Sequence, residues 1–150
     1  MKQSTASSAP SIEGAEDPGR LLFTLMHVAR ALEDRLEAGL EQCGLSMAKY
    51  GVLSELVKAD EPLSLSELAA RLSCVRSNMT QLVDRLEADG LVRRVNDPDD
   101  RRTVRAALTT AGRSQEEAGS LQLQAVQAHF AAALPERDRA QLHRVLASLG

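Results

Sequence analysis

"LSLSELAARLSCVRSNMTQLVDRLEADGLVRRVNDPDDRRTVRAALTTAG", residues 63–112, is the stretch whose reading decides the fold. It opens with Ser64 followed three residues later by Glu67, the spacing of a capping box. In that arrangement two side chains reciprocally satisfy the orphan N–H groups of a helix start. Leu63 before the cap and Leu68 inside the helix suit a hydrophobic staple. This short helix is expected to end near Leu72. After a tight turn, "RSNMTQLVDRLEADG" reads as a second helix that stops at Gly90, a residue suited to the left-handed position after a helix. Two helices joined this way form a helix-turn-helix. "LVRRV" and "RTVRAAL" follow as short strands around an Asp-rich turn that Asp97-Pro98 initiates.

The second helix has two faces. At 100° per residue Met79, Leu82, Val83 and Leu86 share one stripe, which must pack inward. Ser77, Gln81, Asp84 and Ala88 lie opposite, flanked by Thr80 and Arg85. With Asn78, the N-terminal half offers short or amide side chains that suit base edges. Arg76, in the first turn, can reach a phosphate or a guanine. An ordinary solvated helix face would also be polar, so the helix alone does not decide the matter.

The hairpin adds weight. Arg93, Arg94, Arg101, Arg102 and Arg105 fall within thirteen residues, beside Asp97, Asp99 and Asp100. Arginine rather than lysine fits planar phosphate recognition and narrow minor grooves. Asp100 can fix an arginine through a bidentate pair. A plain surface charge network is the alternative, and it would contribute little to stability.

Outward from this stretch the chain reads as helical. Leu22, Leu25, Ala29, Leu32, Leu36 and Leu40 recur at three- and four-residue spacing, and Gly44 closes that helix or the loop after it. "SMAKYGVLSELVKA" forms a second helix before Pro62 interrupts. After the hairpin, Thr109 or Thr110 caps a long helix reaching about Leu134. Pro135 opens a last helix with Leu142, Val145, Leu146 and Leu149 on one face. Residues 1–19, small, polar and punctuated by Pro and Gly, read as a disordered tail. The expected fold is mainly α with a small β-hairpin wing: a winged helix-turn-helix over 45–112, flanked by terminal helices at 20–44 and 113–150.

Composition narrows the function. The chain has 150 residues, a formal net charge of −3 and 2% aromatic residues. That charge argues against bulk coating of nucleic acid, and so few aromatics argue against stacking single-stranded bases. A local basic surface remains compatible with both. The chain has no apolar run of membrane-spanning length and no signal-peptide h-region, so a cytoplasmic protein is expected. Cys43 and Cys74 are too few for a disulfide scaffold. His27, His129 and His143 sit on different helices without ligand spacing, so neither metal nor cofactor is expected. No nucleophile–base constellation or phosphate loop appears, which gives enzymatic activity no support.

The same residues closely resemble the winged helix-turn-helix of the MarR family of bacterial transcription regulators. Its typical run reads ELA-x-x-L, T-x-LVDRLE-x-x-GLV-x-R, DP-x-DRR and V-x-LT-x-x-G. The chain matches at Glu67-Leu68-Ala69, Thr80 through Glu87, Gly90-Leu91-Val92, Asp97-Pro98, Asp100-Arg101-Arg102, Leu108-Thr109 and Gly112. The resemblance implies that residues 76–89 enter the major groove, with Arg76, Ser77, Asn78, Thr80, Gln81 and Arg85 facing DNA. It implies that the wing places Arg102 in the minor groove, with Asp100 holding it and Arg101 beside it. It also implies a homodimer built from the terminal helices, meeting half-sites of a pseudo-palindrome roughly 34 Å apart.

A ligand-relieved repressor is the expected function. Family members often bind small, frequently phenolic anions between the dimer helices and the DNA-binding lobe, which makes His27, Arg30 and Tyr50 candidate pocket residues. Two departures stand out. Where the family's turn carries Gly and then a capping Ser, this chain has Ser73 and Val75, which leaves Ser73 as the candidate cap. Cys74 occupies the turn's apolar position. A thiol redox switch on the same fold, and a winged-helix protein-interaction module without DNA binding, are the rival readings.

Overall fold

A computed structural model describes residues 17–100 and 102–149. The described residues fall into two compact units divided between Asp34 and Arg35, with one helix running through the boundary. That helix is α1, Pro18–Glu41. It takes in Pro18 and Gly19 from the stretch read as a tail, because proline suits a first helical position and Asp17 accepts the Gly19 N–H at 3.0 Å. Residues 1–16, the rest of that stretch, lie outside the described residues. In the first unit Leu21, Leu22, Phe23, Met26 and Val28 of α1 are exposed, and Phe23 reaches 72%.

The second unit begins with the end of α1, where Leu40 is fully buried. Gly44 follows at φ +74°, which turns the chain into α2, Met47–Ala59. Ser46 caps α2 by accepting the Lys49 N–H at 3.3 Å. Next come β1, Leu63–Ser64; α3, Leu65–Arg71; and α4, Arg76–Ala88. The wing follows as β2, Val92–Asn96, and β3, Val104–Leu108, and then α5, Thr110–Ala132, and α6, Glu136–Ala147.

The expected capping box is present. Glu67 N–H donates to the Ser64 hydroxyl at 3.2 Å, and Ser64 N–H donates to the Glu67 carboxylate at 2.8 Å. Leu63 and Leu68 are both buried in one core with Leu53, Leu56, Met79, Val83, Leu86 and Val92. The inward stripe of α4 is thus as the period indicated, with Leu82 half-buried at its edge. The ten largest fully buried side chains of this core, all Leu, Val or Met, each contribute about 1.5–3 kcal/mol on burial.

The sheet holds one strand more than expected. β1 pairs antiparallel with β3 through Leu63↔Ala106 and Ser64↔Arg105, so the order is β1-β3-β2. The hairpin register sets Val92 opposite Leu108 and Asn96 opposite Val104. β1 is only two residues long, and it seats the start of α3 against the wing.

Candidate nucleic-acid interface

The turn between α3 and α4 sets how α4 is presented. Ser73 adopts a left-handed backbone at φ +50°, a position that glycine fills without strain. Val75, not Ser73, is the N-cap residue of α4, and no side chain caps the helix. Ser73 cannot serve because it lies two residues too early. Cys74 is half-buried and lines an apolar cavity of about 350 Å³ with Met47, Gly51, Leu72, Met79 and Leu82. At the turn's apolar position Cys74 thus packs against the core.

Along α4 the side chains Arg76, Ser77, Asn78, Thr80, Gln81 and Arg85 are all exposed, as a reading face requires. The Thr80 hydroxyl donates back to the Arg76 carbonyl at 3.1 Å, which fixes its rotamer. Asp84 and Glu87, the acids of this helix, are both engaged by Arg94 of β2. The backbone N–H of Arg94 also donates to Glu87 at 2.9 Å. That N–H and then the guanidinium hold the Glu87 carboxyl below its ordinary value. Arg94 is therefore a clamp between α4 and β2 rather than a hand for phosphate. At the far end of α4, Lys49 of α2 pairs with Asp89 at 2.6 Å.

The wing tip is built by two aspartates. Asp97, 6% exposed, accepts the N–H groups of Asp99 at 2.8 Å and Asp100 at 3.1 Å. Its N–H donates to the Thr103 carbonyl at 3.0 Å. Asp100 accepts the backbone N–H of Arg102 at 3.0 Å and the Thr103 hydroxyl at 3.0 Å. Asp100 therefore holds Arg102 by its backbone N–H, and among the described residues no ion pair joins that carboxylate to the Arg102 guanidinium. Arg105, one of the five arginines clustered in the hairpin sequence, turns inward to Asp97. Arg101 lies outside the described residues.

Arg102 and Arg76 line one cleft of about 370 Å³ with Ser64, Leu65, Ser66, Thr103 and Val104. Two exposed guanidinium groups and two serines around one cleft form a surface suited to a phosphate oxyanion. The sequence placed each arginine on its own element; β1 is what brings the elements side by side.

The three pocket candidates are distributed as follows. His27 and Arg30 are exposed in the first unit, where Arg30 pairs with Asp34 at 3.4 Å. Tyr50 belongs to the second unit, half-buried on α2, where its ring lies against Gly119 of α5. A side chain at Gly119 would strike that ring.

The MarR family model matches residues 45–104, which run from the loop before α2 to the first residue of β3. Residues 45–104 thus form a winged helix-turn-helix of the MarR family. Among curated relatives, the chain is 33% identical over 93 residues to the HTH-type transcriptional regulator PrsX of Escherichia coli, covering 61% of this chain and 56% of that protein. It is 32% identical over 96 residues to the transcriptional repressor YetL of Bacillus subtilis, covering 63% of this chain and 58% of that protein. The matches thus span little more than half the length of these curated relatives. The solved structure of CouR from Rhodococcus jostii RHA1, bound to p-coumaroyl-CoA, superposes with a TM-score of 0.70 at 28% identity. That alignment covers 86% of this chain and 90% of CouR. The winged helix-turn-helix is therefore both the geometry observed and the fold of the family.

Proposed function

We propose that this MarR-family chain is a homodimeric transcriptional repressor that binds pseudo-palindromic double-stranded DNA in the cytoplasm and releases it on binding a small molecule. One observation carries the reading: Arg76 at the start of the reading helix and Arg102 on the wing share a cleft beside an exposed polar face. In this reading Ser77, Asn78, Thr80, Gln81 and Arg85 face base edges and backbone in the major groove. Arg102 reaches the minor groove beside Asp100, and Arg101 is a further proposed wing contact. The names of PrsX and YetL, a regulator and a repressor, support the assignment. No helix among the described residues is long and apolar enough to cross a membrane.

Dimerisation is supported by unpartnered apolar surface. Leu21, Leu22 and Phe23 of α1, and Val145, Leu146 and Leu149 at the C-terminal end, are exposed, with Leu149 at 68%. Apolar faces of this kind mark surfaces that a partner covers. For the effector, the CouR complex with p-coumaroyl-CoA supports an aromatic ligand, and Tyr50 of the second unit is a proposed contact. The test is selection: the purified chain is mixed with duplexes of random sequence and the bound pool is sequenced. The reading expects an inverted repeat with half-sites about one helical turn apart. A pool indistinguishable from input contradicts it.

A further inference from the structure

Asp97 is the one buried charged residue among the described residues, and its contacts go beyond the turn it closes. Its carboxylate binds the guanidinium of Arg105 on β3, the central strand. Arg105 stands opposite Val95 of β2 and Ser64 of β1, so it spans the sheet at the root of the wing. From there it donates to the Pro62 carbonyl at 3.1 Å and to the Glu67 carboxylate at 3.2 Å. Glu67 is the acid of the capping box and also receives the Ser64 N–H. The chain of contacts therefore runs from the backbone of the wing tip, through Asp97 and Arg105, into the cap of α3. Ser64, at the end of that chain, lines the cleft that holds Arg76 and Arg102.

We propose that Asp97 and Arg105 are positioning residues for DNA: their pair locks the wing onto the start of α3 and so keeps Arg102 across the cleft from Arg76. This rests on the DNA-binding reading above. The physical reason is order before binding. A hairpin tip joined to the body only by its strands pivots, and each state that misplaces Arg102 lowers the fraction competent to bind. Arginine suits the hub because its planar fork engages three acceptors at once: a carboxylate on the wing, a carbonyl before α3 and a carboxylate within it. Lysine keeps the charge without the fork. Asp100, whose oxygens are both used inside the tip, ties nothing to α3.

A double-mutant cycle separates positioning from general stability. The probe is a fluorescent duplex chosen from the random pool by wild-type protein, and the variants are Asp97→Asn, Arg105→Lys, Arg102→Ala and the two doubles with Arg102→Ala. Asparagine can still accept from the Asp99 and Asp100 N–H groups, so the turn persists while the ion pair is lost. Asp97→Asn and Arg105→Lys are each expected to weaken binding about tenfold, the worth of one well-placed arginine contact, and to lower the salt slope by about one. In the Arg102→Ala background the same substitutions should cost less than about twofold, since there is no guanidinium left to place. A loss of equal factor in both backgrounds, or wild-type affinity in Asp97→Asn and Arg105→Lys, overturns the positioning role alone. A wild-type chain that enriches no duplex overturns the DNA-binding reading and this inference with it. Arg105→Lys approaches the pair from its other partner, so the test stands even if Asp97→Asn fails to fold.

Discussion

Gly112, in the first turn of α5, packs so closely on the carbonyl of Leu91 that a methyl group on its Cα would overlap the oxygen. Around this contact Thr109 caps α5 by accepting the Gly112 N–H at 2.9 Å. The Thr109 hydroxyl also sits 2.8 Å from the Gly90 carbonyl and 3.0 Å from that of Leu91. The chain just after α4 and the start of α5 are thereby fastened together. Gly112→Ala should destabilise the fold by about 1–3 kcal/mol or more, the range for overpacking a site that cannot relax. Denaturant unfolding with an unchanged midpoint would show that the contact gives way.

Ser73 and Val75 leave stability unused. A non-glycine residue in the left-handed region costs roughly 1–2 kcal/mol, and an uncapped helix start forgoes about 1 kcal/mol. Ser73→Gly and Val75→Ser are each expected to raise the urea midpoint by an amount corresponding to about 1 kcal/mol. A fall in either midpoint would mean that the present turn carries contacts worth more than its strain.

Acid should loosen the wing. The Arg105 guanidinium, followed by the N–H groups of Asp99 and Asp100, holds the Asp97 carboxyl below its ordinary value. The backbone N–H and then the hydroxyl of Ser64 do the same for Glu67, and Arg94 does so for Glu87. For depressed carboxyls the stabilisation is complete above the unfolded values, near pH 4, and is lost as pH falls through the folded ones. Stability measured by urea unfolding should therefore decline below about pH 4. The decline should be shallower in Asp97→Asn and Glu87→Gln. Identical acid limbs would contradict the assigned partners.

The exposed apolar residues of α1 predict association. Phe23→Asp should shift the chain from dimer to monomer in sedimentation, with little change in the spectrum of the DNA-binding lobe. A variant that sediments as wild type would move the interface away from this face.

Much of the fold was legible because its signals are local. Ser64 and Glu67 announce a helix start, Gly90 a helix end, and the α4 stripe needs only its period. The network that aims the wing was not legible, because it joins residues far apart in the chain. Arg94, Arg102 and Arg105 look alike in the sequence, and only the hairpin register and a two-residue β1 decide which turn inward. Asp97 was expected only to start the turn and Asp100 to fix an arginine, yet it is the buried Asp97 that binds Arg105. A clue existed: Asp97 and Arg105 flank a short connection between two strands, which brings them side by side.

The central claim is that α4 and the wing together hold duplex DNA, with Arg102 as the wing's contact. Its most direct test is the affinity of wild type and Arg102→Ala for a selected duplex, measured by fluorescence anisotropy across a salt series. The account predicts weaker binding for Arg102→Ala and a salt slope flatter by about one. Equal affinity and equal slope in the two proteins would contradict it.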